Sequence, residues 1–391
     1  MAVNDNSPSI VKAIKYFSDF YDFRKNIVTN DIEYKKKDEK DYREVNENNL
    51  YINLRKDGGI RASISDVMVF LGSEYIEKYD PFEEYFVSIA NHYQPDLHGD
   101  YIEKLAQYVV AHQQKRFNLQ LKKWLVRAVI CALVPDYFNK QAFILVSEKQ
   151  NTGKTTFSRF LVPKILNRYF VENISIDKDS LIALSSNFIG ILDELSTLSK
   201  FEINALKSVM SKLLVNVRHP YERRAKMTPR RISFFGSTNM TEFLTDDANV
   251  RWLCFEIESI NWKYKQEIDI DLVWSQAYQL WKSGFRFEMT KEEIQENEMA
   301  NEGFRIVSVE MELLQKYFRP GTPQEHDGAF MASELMHEIQ IKSCLKLNQK
   351  DFGKALKRTG FVAIQTRQHR SKETGDKVGY PVKIYYVKQN L

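Results

Sequence analysis

The sequence predicts an α/β fold with a parallel sheet at its centre, a helical N-terminal region and a winged-helix-like C-terminal domain. The sheet is predicted by four short apolar runs, which are residues 142–146 (AFILV), 188–192 (FIGIL), 232–235 (ISFF) and 252–257 (WLCFEI). Runs that are apolar on both faces and separated by helical stretches are typical of parallel strands covered on both sides. The C-terminal domain is predicted by an order of helix, helix, strand, polar turn and strand.

Composition and periodicity divide the chain into four regions. Residues 1–80 form an accessory region. Its first 60 residues are polar and weakly periodic, their mixed-charge run at 35–40 (KKKDEK) predicts an exposed loop or linker, and Ser63–Gly72 predicts a short helix. Two apolar stripes of helical spacing within 101–134 predict a helical region over residues 81–135. The core then occupies residues 136–318, because the breaker cluster at 319–323 (RPGTP) marks a boundary before the winged-helix-like domain at 325–391.

The composition argues against several classes of protein. The 391 residues are 43% hydrophobic and 28% charged, which is an ordinary globular balance. The three cysteines are scattered without paired spacing, so we expect neither a disulfide framework nor a zinc site, and we expect a reducing, cytoplasmic location. No apolar stretch approaches the ~20 residues that span a bilayer, and the first residues lack a secretory signal pattern, so no membrane partner is expected.

Positive charge is concentrated towards the end of the chain. Residues 342–391 contain twelve Lys and Arg against three Asp and Glu, a net charge of +9, which leaves −5 for the rest of a chain whose total is +4. A basic helix followed by a basic wing predicts a surface that docks on DNA. A solvated basic surface or a winged helix that contacts protein is the alternative. The candidate DNA-binding residues of this region are Lys350, Lys354, Lys357, Arg358, Arg367 and Arg370.

The central motif is a phosphate-binding loop that follows the first apolar run. Residues 151–156 (NTGKTT) stand between a predicted strand and a helical stretch, where backbone N–H groups and a helix N-terminus surround a phosphate. Lys154 would neutralise the β- and γ-phosphate oxygens, and Thr155 would hold Mg²⁺. Glu148 replaces the first glycine of the usual loop pattern. The candidate nucleotide-binding residues are Gln150, Asn151, Thr152, Gly153, Lys154, Thr155 and Thr156.

Acidic and amide side chains stand at the ends of the second and third apolar runs. Asp193 and Glu194 directly follow the second run, and adjacent carboxylates after a buried strand are costly unless they serve a function. Asp193 would bind Mg²⁺, and Glu194 would polarise the attacking water. After the third run, Asn239 is the candidate for orienting that water against the γ-phosphate, with Thr238 as the less favoured choice.

Arginines are concentrated between and after these runs. A phosphoryl group in transfer needs nearby positive charge, and Arg251 is the candidate for an arginine finger, a side chain supplied to the phosphate from a neighbouring subunit. The loop at 217–224 mixes arginine with tyrosine, which predicts that it lines a nucleic-acid channel or meets a neighbouring subunit's nucleotide. A solvated or ion-paired surface role is the alternative for each of these arginines. The loop's candidates for contact with DNA are Arg218, Arg223 and Arg224.

In their order along the chain, these motifs resemble one family. The chain resembles the virulence-associated protein E family of phages and bacterial mobile elements, which is related to superfamily-3 helicases within the AAA+ group. The resemblance covers roughly residues 80–305 and depends on QNTGKTTF (150–157), LDEL (192–195), RHPY (218–221), GSTN (236–239), NVRW (249–252) and IDLVWSQA (270–277).

The resemblance implies an AAA+-type P-loop core that works in a ring, expected to be a homo-hexamer, with ATP and Mg²⁺ as cofactors. It places Lys154, Thr155 and Asp193 in the nucleotide and magnesium site, and it gives catalytic roles to Glu194, Asn239 and Arg251. Members of the family often carry a primase domain upstream. Residues 1–80 are too short for such a domain, so no primase activity is expected.

Three functions are consistent with these features. The leading hypothesis is an ATP-dependent DNA helicase or replication initiator of a phage or mobile element, with single-stranded DNA in the channel of the ring and duplex DNA on the C-terminal domain. The first alternative is a DNA-binding protein whose conformation is switched by bound nucleotide, with weak or no hydrolysis. The glutamate at position 148 favours this alternative. The second alternative is a small-molecule P-loop kinase, which the basic tail and the arginine-rich loop oppose.

Overall fold

The computed structural model describes residues 7–172, 178–195, 200–218, 224–244, 250–367 and 381–390. The chain divides into two compact units, Met1–Phe304 and Arg305–Leu391. Each unit combines helices with a sheet around its own buried apolar cluster, in agreement with the predicted α/β class. Across these described ranges, no helix is both long enough and apolar enough to cross a bilayer.

The N-terminal part of the first unit is folded, and it includes a helix at Ile64–Leu71, where the sequence predicts one over Ser63–Gly72. Its four-stranded sheet has the order β3-β2-β1-β4, and its helices bury apolar side chains such as Phe17 and Phe70. The run at 35–40 agrees with the predicted exposed loop over residues 37–40, which leave β2, whereas Lys35 and Lys36 belong to the strand, in which Tyr34 is buried. The elements are α1 Ser9–Phe20, β1 Tyr21–Asn26, β2 Ile32–Lys36, β3 Arg43–Glu44, α2 Glu47–Lys56, α3 Ile64–Leu71 and β4 Glu77–Tyr79.

Glu33 of β2 links this N-terminal part to the rest of the first unit. Its carboxylate pairs with Arg24 at 2.8 Å and with Arg168 at 2.5 Å, and it accepts a hydrogen bond from the Tyr79 hydroxyl at 2.7 Å. Burial raises the pKa of Glu33, but the hydrogen bonds from Tyr79 and Arg24 and the charges of both arginines outweigh that effect, so the pKa lies below its ordinary value. Glu33 therefore stays ionised at neutral pH and holds the two parts together.

The predicted parallel sheet is present at the centre of the first unit. It has six strands in the order β5-β12-β6-β11-β8-β7, all parallel except β5, which pairs antiparallel with β12 at one edge. A separate antiparallel hairpin is formed by β9 and β10. The strands are β5 Val109–Ala111, β6 Ala142–Val146, β7 Phe170–Glu172, β8 Ile189–Leu192, β9 Leu214–Val217, β10 Lys226–Pro229, β11 Ser233–Thr238 and β12 Trp252–Ile260.

Helices cover the sheet, and the longest of them packs through aromatic side chains. Phe117 of α7 lies edge-on to Phe143 of β6 at 5.4 Å between ring centroids, and Trp124 meets Phe235 of β11 at 5.3 Å. The helix predicted from the first apolar stripe ends earlier than expected, because residues 109–111 form the strand β5. The helices are α4 Pro81–Ile89, α5 Pro95–His98, α6 Tyr101–Ala106, α7 Gln114–Leu133, α8 Lys154–Phe160, a 3₁₀ helix at Lys164–Tyr169, α9 Lys178–Ser186, α10 Lys200–Met210, α11 Tyr264–Glu267, α12 Ile270–Lys282 and α13 Lys291–Glu302.

The second unit begins at Arg305, before the breaker cluster at 319–323 that the sequence indicated as a boundary. That cluster lies inside the unit, because Phe318–Pro320 forms a strand that pairs with the last strand of the chain. The last strand, β16, pairs with each of the other three. The elements are α14 Val309–Tyr317, β13 Phe318–Pro320, β14 Gly328–Met331, α15 Ala332–Ser343, α16 Gln349–Arg358, β15 Ala363–Thr366 and β16 Val382–Gln389.

Candidate functional site

The loop between β6 and α8 has the backbone shape of an anion-binding nest. β6 is buried along its whole length and ends at Val146, and α8 begins at Lys154. Gly153 adopts a left-handed conformation with φ +88°, and Asn151 does so with φ +58°. Glycine adopts this conformation without a steric penalty, and asparagine tolerates it better than most residues. Successive N–H groups of such a loop, followed by a helix N-terminus, point into the same concavity.

The Lys154 side chain is buried and held at the mouth of this loop by four oxygen atoms. Its ammonium donates to the carbonyl oxygens of Ser147 at 3.1 Å and Lys149 at 3.2 Å. It also donates to the Thr152 hydroxyl at 3.1 Å and to Oδ1 of Asn239 at 2.8 Å. All four are uncharged acceptors, and burial lowers the pKa of Lys154. A cation held by neutral dipoles in a partly desolvated site strongly favours an anion beside it.

Next to this lysine, two side-chain hydroxyl groups and one backbone N–H group contact the carboxylate of Asp193. Oδ1 of Asp193 accepts hydrogen bonds from the Thr155 hydroxyl at 3.0 Å, the Ser237 hydroxyl at 2.7 Å and the Glu194 N–H at 3.1 Å. Carboxylate and hydroxyl oxygens at this spacing are the ligands that Mg²⁺ prefers in nucleotide sites. The predicted magnesium pair, Thr155 and Asp193, is therefore in direct contact.

Ser237 is a residue of this cluster that the sequence analysis missed. The third apolar run, residues 232–235, predicts a strand that ends at residue 235. In the structure β11 runs to Thr238, because residues 235–238 pair with residues 143–146 of β6. Ser237 therefore lies within the strand, buried, with its hydroxyl against Asp193.

The strand order explains why these side chains meet. β11 lies between β6 and β8 and is parallel to both, so the carboxyl ends of the three strands reach the same edge of the sheet. Lys154 follows β6, Asp193 and Glu194 follow β8, and Asn239 follows β11. Glu194 has a left-handed backbone conformation with φ +49°, a conformation that is uncommon outside glycine and frequent at functional sites.

A cleft of about 480 Å³ opens over these strand ends. Its volume is within the range of small-ligand sites, which is roughly 300–1,000 Å³. Glu148, which replaces the first glycine of the usual loop pattern, is exposed and is not among the residues that line the cleft. The lining residues are Gln150, Asn151, Thr152, Gly153, Lys154, Thr155, Thr156, Asp193, Glu194, Ser237, Thr238, Asn239 and Trp262. They include all seven predicted nucleotide-binding residues.

Arg251 is not part of this cleft. Its carbonyl oxygen accepts a hydrogen bond from the N–H of Ala142 at 2.8 Å, at the amino end of β6, and its side chain donates to the Ser211 hydroxyl at 2.9 Å. The cleft lies beyond the carboxyl end of β6, about 13 Å away at ~3.3 Å per residue. Arg251 is therefore at the opposite edge of the sheet from its own chain's cleft.

The predicted DNA-binding residues fall into two groups. Arg218 and Arg224 are exposed beside the connection between β9 and β10, and Arg223 lies outside the described residues. In the second unit, α16 buries Phe352 and Leu356 while its basic residues face outwards or are partly exposed. Those residues are Lys350, Lys354, Lys357 and Arg358. Arg367 is exposed after β15, and Arg370 lies outside the described residues.

Comparisons with known proteins give one family and one fold. The family model described as virulence-associated protein E-like domain matches residues 97–306, which is just over half of the chain. No curated protein matches the chain.

Among solved structures, the apo C-terminal region of NrS-1 (305–718) is similar over 98% of this chain and 100% of that one, with 12% identity and a TM-score of 0.50. An A form of the same region gives 97% and 99% coverage, 13% identity and a TM-score of 0.50. Another A form gives 98% and 100% coverage, 12% identity and a TM-score of 0.51. At such identities the likeness concerns the fold.

Proposed function

Since this chain belongs to the virulence-associated protein E-like family, we propose that it is an ATP-dependent DNA helicase or replication initiator of a phage or mobile element. ATP would be hydrolysed between the subunits of a ring, and the energy would drive movement along DNA. The observation that carries this proposal is the meeting of Lys154, Asp193 and Asn239 at one cleft, although they follow three different strands.

The cleft supports a P-loop core of the AAA+ type. Lys154 and the N–H groups of the loop would bind the phosphates, and the oxygens of Thr155 and Asp193 would hold Mg²⁺. Mg²⁺ would neutralise charge that develops on the phosphate oxygens. The Asn239 side chain already contacts the Lys154 ammonium at 2.8 Å, so it stands where it would orient a water molecule against the terminal phosphate.

The carboxylate that would activate this water is Glu194. It lines the cleft together with Thr155 and Asp193, and it directly follows Asp193 in the chain. A general base must lie within hydrogen-bond reach of the nucleophile, directly or through one water molecule. The uncommon backbone conformation of Glu194 turns the chain sharply at this position. Glu194 would take the proton of the attacking water, and Asp193 would remain beside the metal.

The position of Arg251 supports action between subunits. Because it lies at the opposite edge of the sheet from its own cleft, Arg251 would reach a phosphate only in a neighbouring copy of the chain. A ring in which the amino edge of one sheet faces the cleft of the next would bring this arginine to the terminal phosphate. Such a finger contributes roughly 10³–10⁵ in rate in other phosphoryl-transfer systems.

Contact with DNA would use both basic groups. Arg218 and Arg224 flank a hairpin that belongs to neither the central sheet nor its covering helices, which suits a loop that follows a single strand through a channel. The second unit, which we interpret as a winged-helix domain, would place the basic residues of α16 against duplex phosphates. The net charge of +9 on residues 342–391 would make that contact salt-dependent.

ATP hydrolysis by the full chain and by Lys154→Ala, with and without single-stranded DNA, tests the proposal. We expect single-stranded DNA to stimulate hydrolysis by the unmodified chain and Lys154→Ala to lose it. Lys140→Ala is the matched control, because Lys140 is an exposed lysine before the amino end of β6, outside the cleft. Equal rates for Lys154→Ala and the unmodified chain would overturn the proposal.

The same assay separates the nucleotide-switched alternative. Tight ATP binding without turnover by the unmodified chain would favour the switch over the helicase. Because Glu148 is exposed and lies outside the cleft, we expect Glu148→Gly to leave the rate of hydrolysis unchanged. A rate that rises in Glu148→Gly would identify this residue as a brake on turnover.

A further inference from the structure

Trp262 is an aromatic side chain at the rim of the cleft that none of the proposed phosphate chemistry uses. It lines the cleft together with the phosphate-binding loop and exposes 47% of its surface. By contrast, Trp124, Trp252 and Trp274 are buried in the apolar clusters. A half-exposed indole beside a polar cleft has a large apolar surface available to a ligand.

The position of Trp262 follows from the length of β12. β12 is parallel to β6, and its Glu256 is paired with Val146, the last residue of β6. β12 continues to Ile260, beyond the carboxyl edge of the sheet, where it pairs only with β5. Trp262 follows two residues later and therefore stands above the loop that leaves β6.

Trp262 is held firmly from both sides along the chain. The N–H of Asn261 donates to the carbonyl oxygen of Tyr108 at 2.8 Å. On the other side, Tyr264 is buried against the helix that follows the phosphate-binding loop, with ring centroids 5.3 Å from Phe157 and 4.8 Å from Phe160. These contacts hold the backbone on both sides of Trp262 in place, which lowers the conformational entropy that is lost when a ligand binds there.

The indole also touches the phosphate-binding loop. A Cβ atom on Gly153 would come within 2.8 Å of Cζ2 and 2.9 Å of Cη2 of Trp262, so only glycine lets the ring lie this close. The ammonium of Lys265 lies 4.6 Å from the centre of the ring, within the range of a cation–π contact. The ring therefore lies against the phosphate-binding loop at the edge of the cleft.

We propose that Trp262 is the platform on which the base of a nucleoside triphosphate stacks. This proposal rests on the proposed function, and it adds to that function a residue that recognises the nucleoside rather than the phosphates. Every base has a flat π face, so stacking on an indole discriminates weakly between bases. The platform therefore predicts similar losses for ATP and GTP when the indole is removed.

The competing explanation is that Trp262 only shapes the loop through its contact with Gly153. The two explanations differ in their effect on inorganic triphosphate, which has the phosphates of ATP without its base. Loss of a base platform weakens the binding of ATP and leaves the binding of inorganic triphosphate unaffected. Loss of a packing contact weakens the binding of both ligands by the same factor, because both bind to the loop through their phosphates.

Calorimetric titration of the full chain with ATP, GTP and inorganic triphosphate, each with Mg²⁺, distinguishes them. We expect Trp262→Leu to raise the Kd for ATP and GTP by about 5- to 150-fold, which corresponds to the ~1–3 kcal/mol of one stacked base. The Kd for inorganic triphosphate should stay within about twofold, an energy difference of less than ~0.5 kcal/mol. Trp262→Phe should recover most of the ATP affinity, because it keeps an aromatic face.

Trp281→Leu is the matched control. Trp281 also has a lysine ammonium over its ring, that of Lys282 at 4.1 Å, but it lies on α12 outside the cleft. We expect the affinities of Trp281→Leu for ATP, GTP and inorganic triphosphate to match those of the unmodified chain. If Trp262→Leu weakens the binding of ATP and of inorganic triphosphate equally, or does not weaken ATP binding, the platform proposal is wrong while the proposed function still holds. An unmodified chain that binds neither ligand would overturn both.

Discussion

Replacing Ser237 with alanine removes one of the contacts that hold the proposed magnesium carboxylate. In the structure, Oδ1 of Asp193 accepts hydrogen bonds from Ser237 at 2.7 Å, Thr155 at 3.0 Å and the N–H of Glu194 at 3.1 Å. When Mg²⁺ binds, the Thr155 oxygen would turn towards the metal and this contact would be lost. Ser237 then supplies one of the contacts that remain on Oδ1, and Ser237→Ala removes the shortest of these three hydrogen bonds.

The expected magnitude follows from the chemistry of these contacts. A hydrogen bond to a charged group contributes ~1.5–3 kcal/mol, which is about 10- to 150-fold in an equilibrium constant. Loss of a group that orients a metal ligand typically weakens metal affinity by about 10- to 100-fold. We therefore expect Ser237→Ala to raise the Mg²⁺ concentration at half-maximal ATP hydrolysis by about this factor. The rate at saturating Mg²⁺ should change much less, because Ser237 does not replace a ligand.

The assay is ATP hydrolysis by the full chain over a range of Mg²⁺ concentrations. Ser233→Ala is the control, because Ser233 is also a buried serine of β11, and its hydroxyl accepts a hydrogen bond from Asn139 at 3.3 Å, away from the cleft. A Mg²⁺ dependence of Ser237→Ala that matches that of the unmodified chain would refute the reasoning. An equal shift in Ser233→Ala would show that the effect comes from the strand and not from Asp193.

Three further predictions follow from the geometry. Arg251→Ala and Lys154→Ala should each be inactive alone, yet an equal mixture of the two should regain ATPase activity. In mixed rings, about one interface in four would pair an intact cleft with an intact arginine. A mixture with no more activity than its components would argue against action between subunits. Arg218→Ala and Arg224→Ala should each lower the salt dependence of single-strand binding by about 0.7 in the slope of log K against log salt, and an unchanged slope would exclude a phosphate contact. Glu33→Gln should lower the free energy of unfolding at neutral pH by about 2 kcal/mol, less than the ~3–5 kcal/mol of a fully buried pair because its arginines are 28% and 39% exposed. Since the folded-state pKa of Glu33 is lowered, this difference should persist above the ordinary carboxyl pKa of ~4.3 and disappear as the pH falls through the lowered value, which denaturant titrations at several pH values would check.

The phosphate-binding loop is the part of the site that the sequence predicts most completely. A buried strand, a residue that tolerates left-handed backbone and a helix start occur within residues 142–160, so only local interactions are needed to form it. The same holds for α12 at Ile270–Lys282, because its apolar side chains repeat with the helical period and need only local sequence to be recognised. Local periodicity failed at residues 109–111, where two valines that continue a helical stripe instead pair with β12.

The spatial order of the strands could not be predicted from their order along the chain. The strands follow one another as β6, β8 and β11, but β11 inserts between the other two in the sheet. This insertion puts Asn239 against Lys154 and Ser237 against Asp193, at distances of 2.8 Å and 2.7 Å. Sequence reasoning identified Asn239 from its place at a strand end and missed Ser237, because pairing with β6 extends the strand by three residues beyond its apolar run.

By itself, the sequence determined the loop with Lys154, the acidic pair after the second apolar run and the basic character of the C-terminal region. These features depend on residues that are close together in the chain. Only the tertiary structure decided that Ser237 holds Asp193, that Trp262 stands over Gly153, that Glu148 lies outside the cleft and that Arg251 lies at the far edge of the sheet. Each of these depends on strand order, strand length and register, which arise from packing between segments distant in the chain.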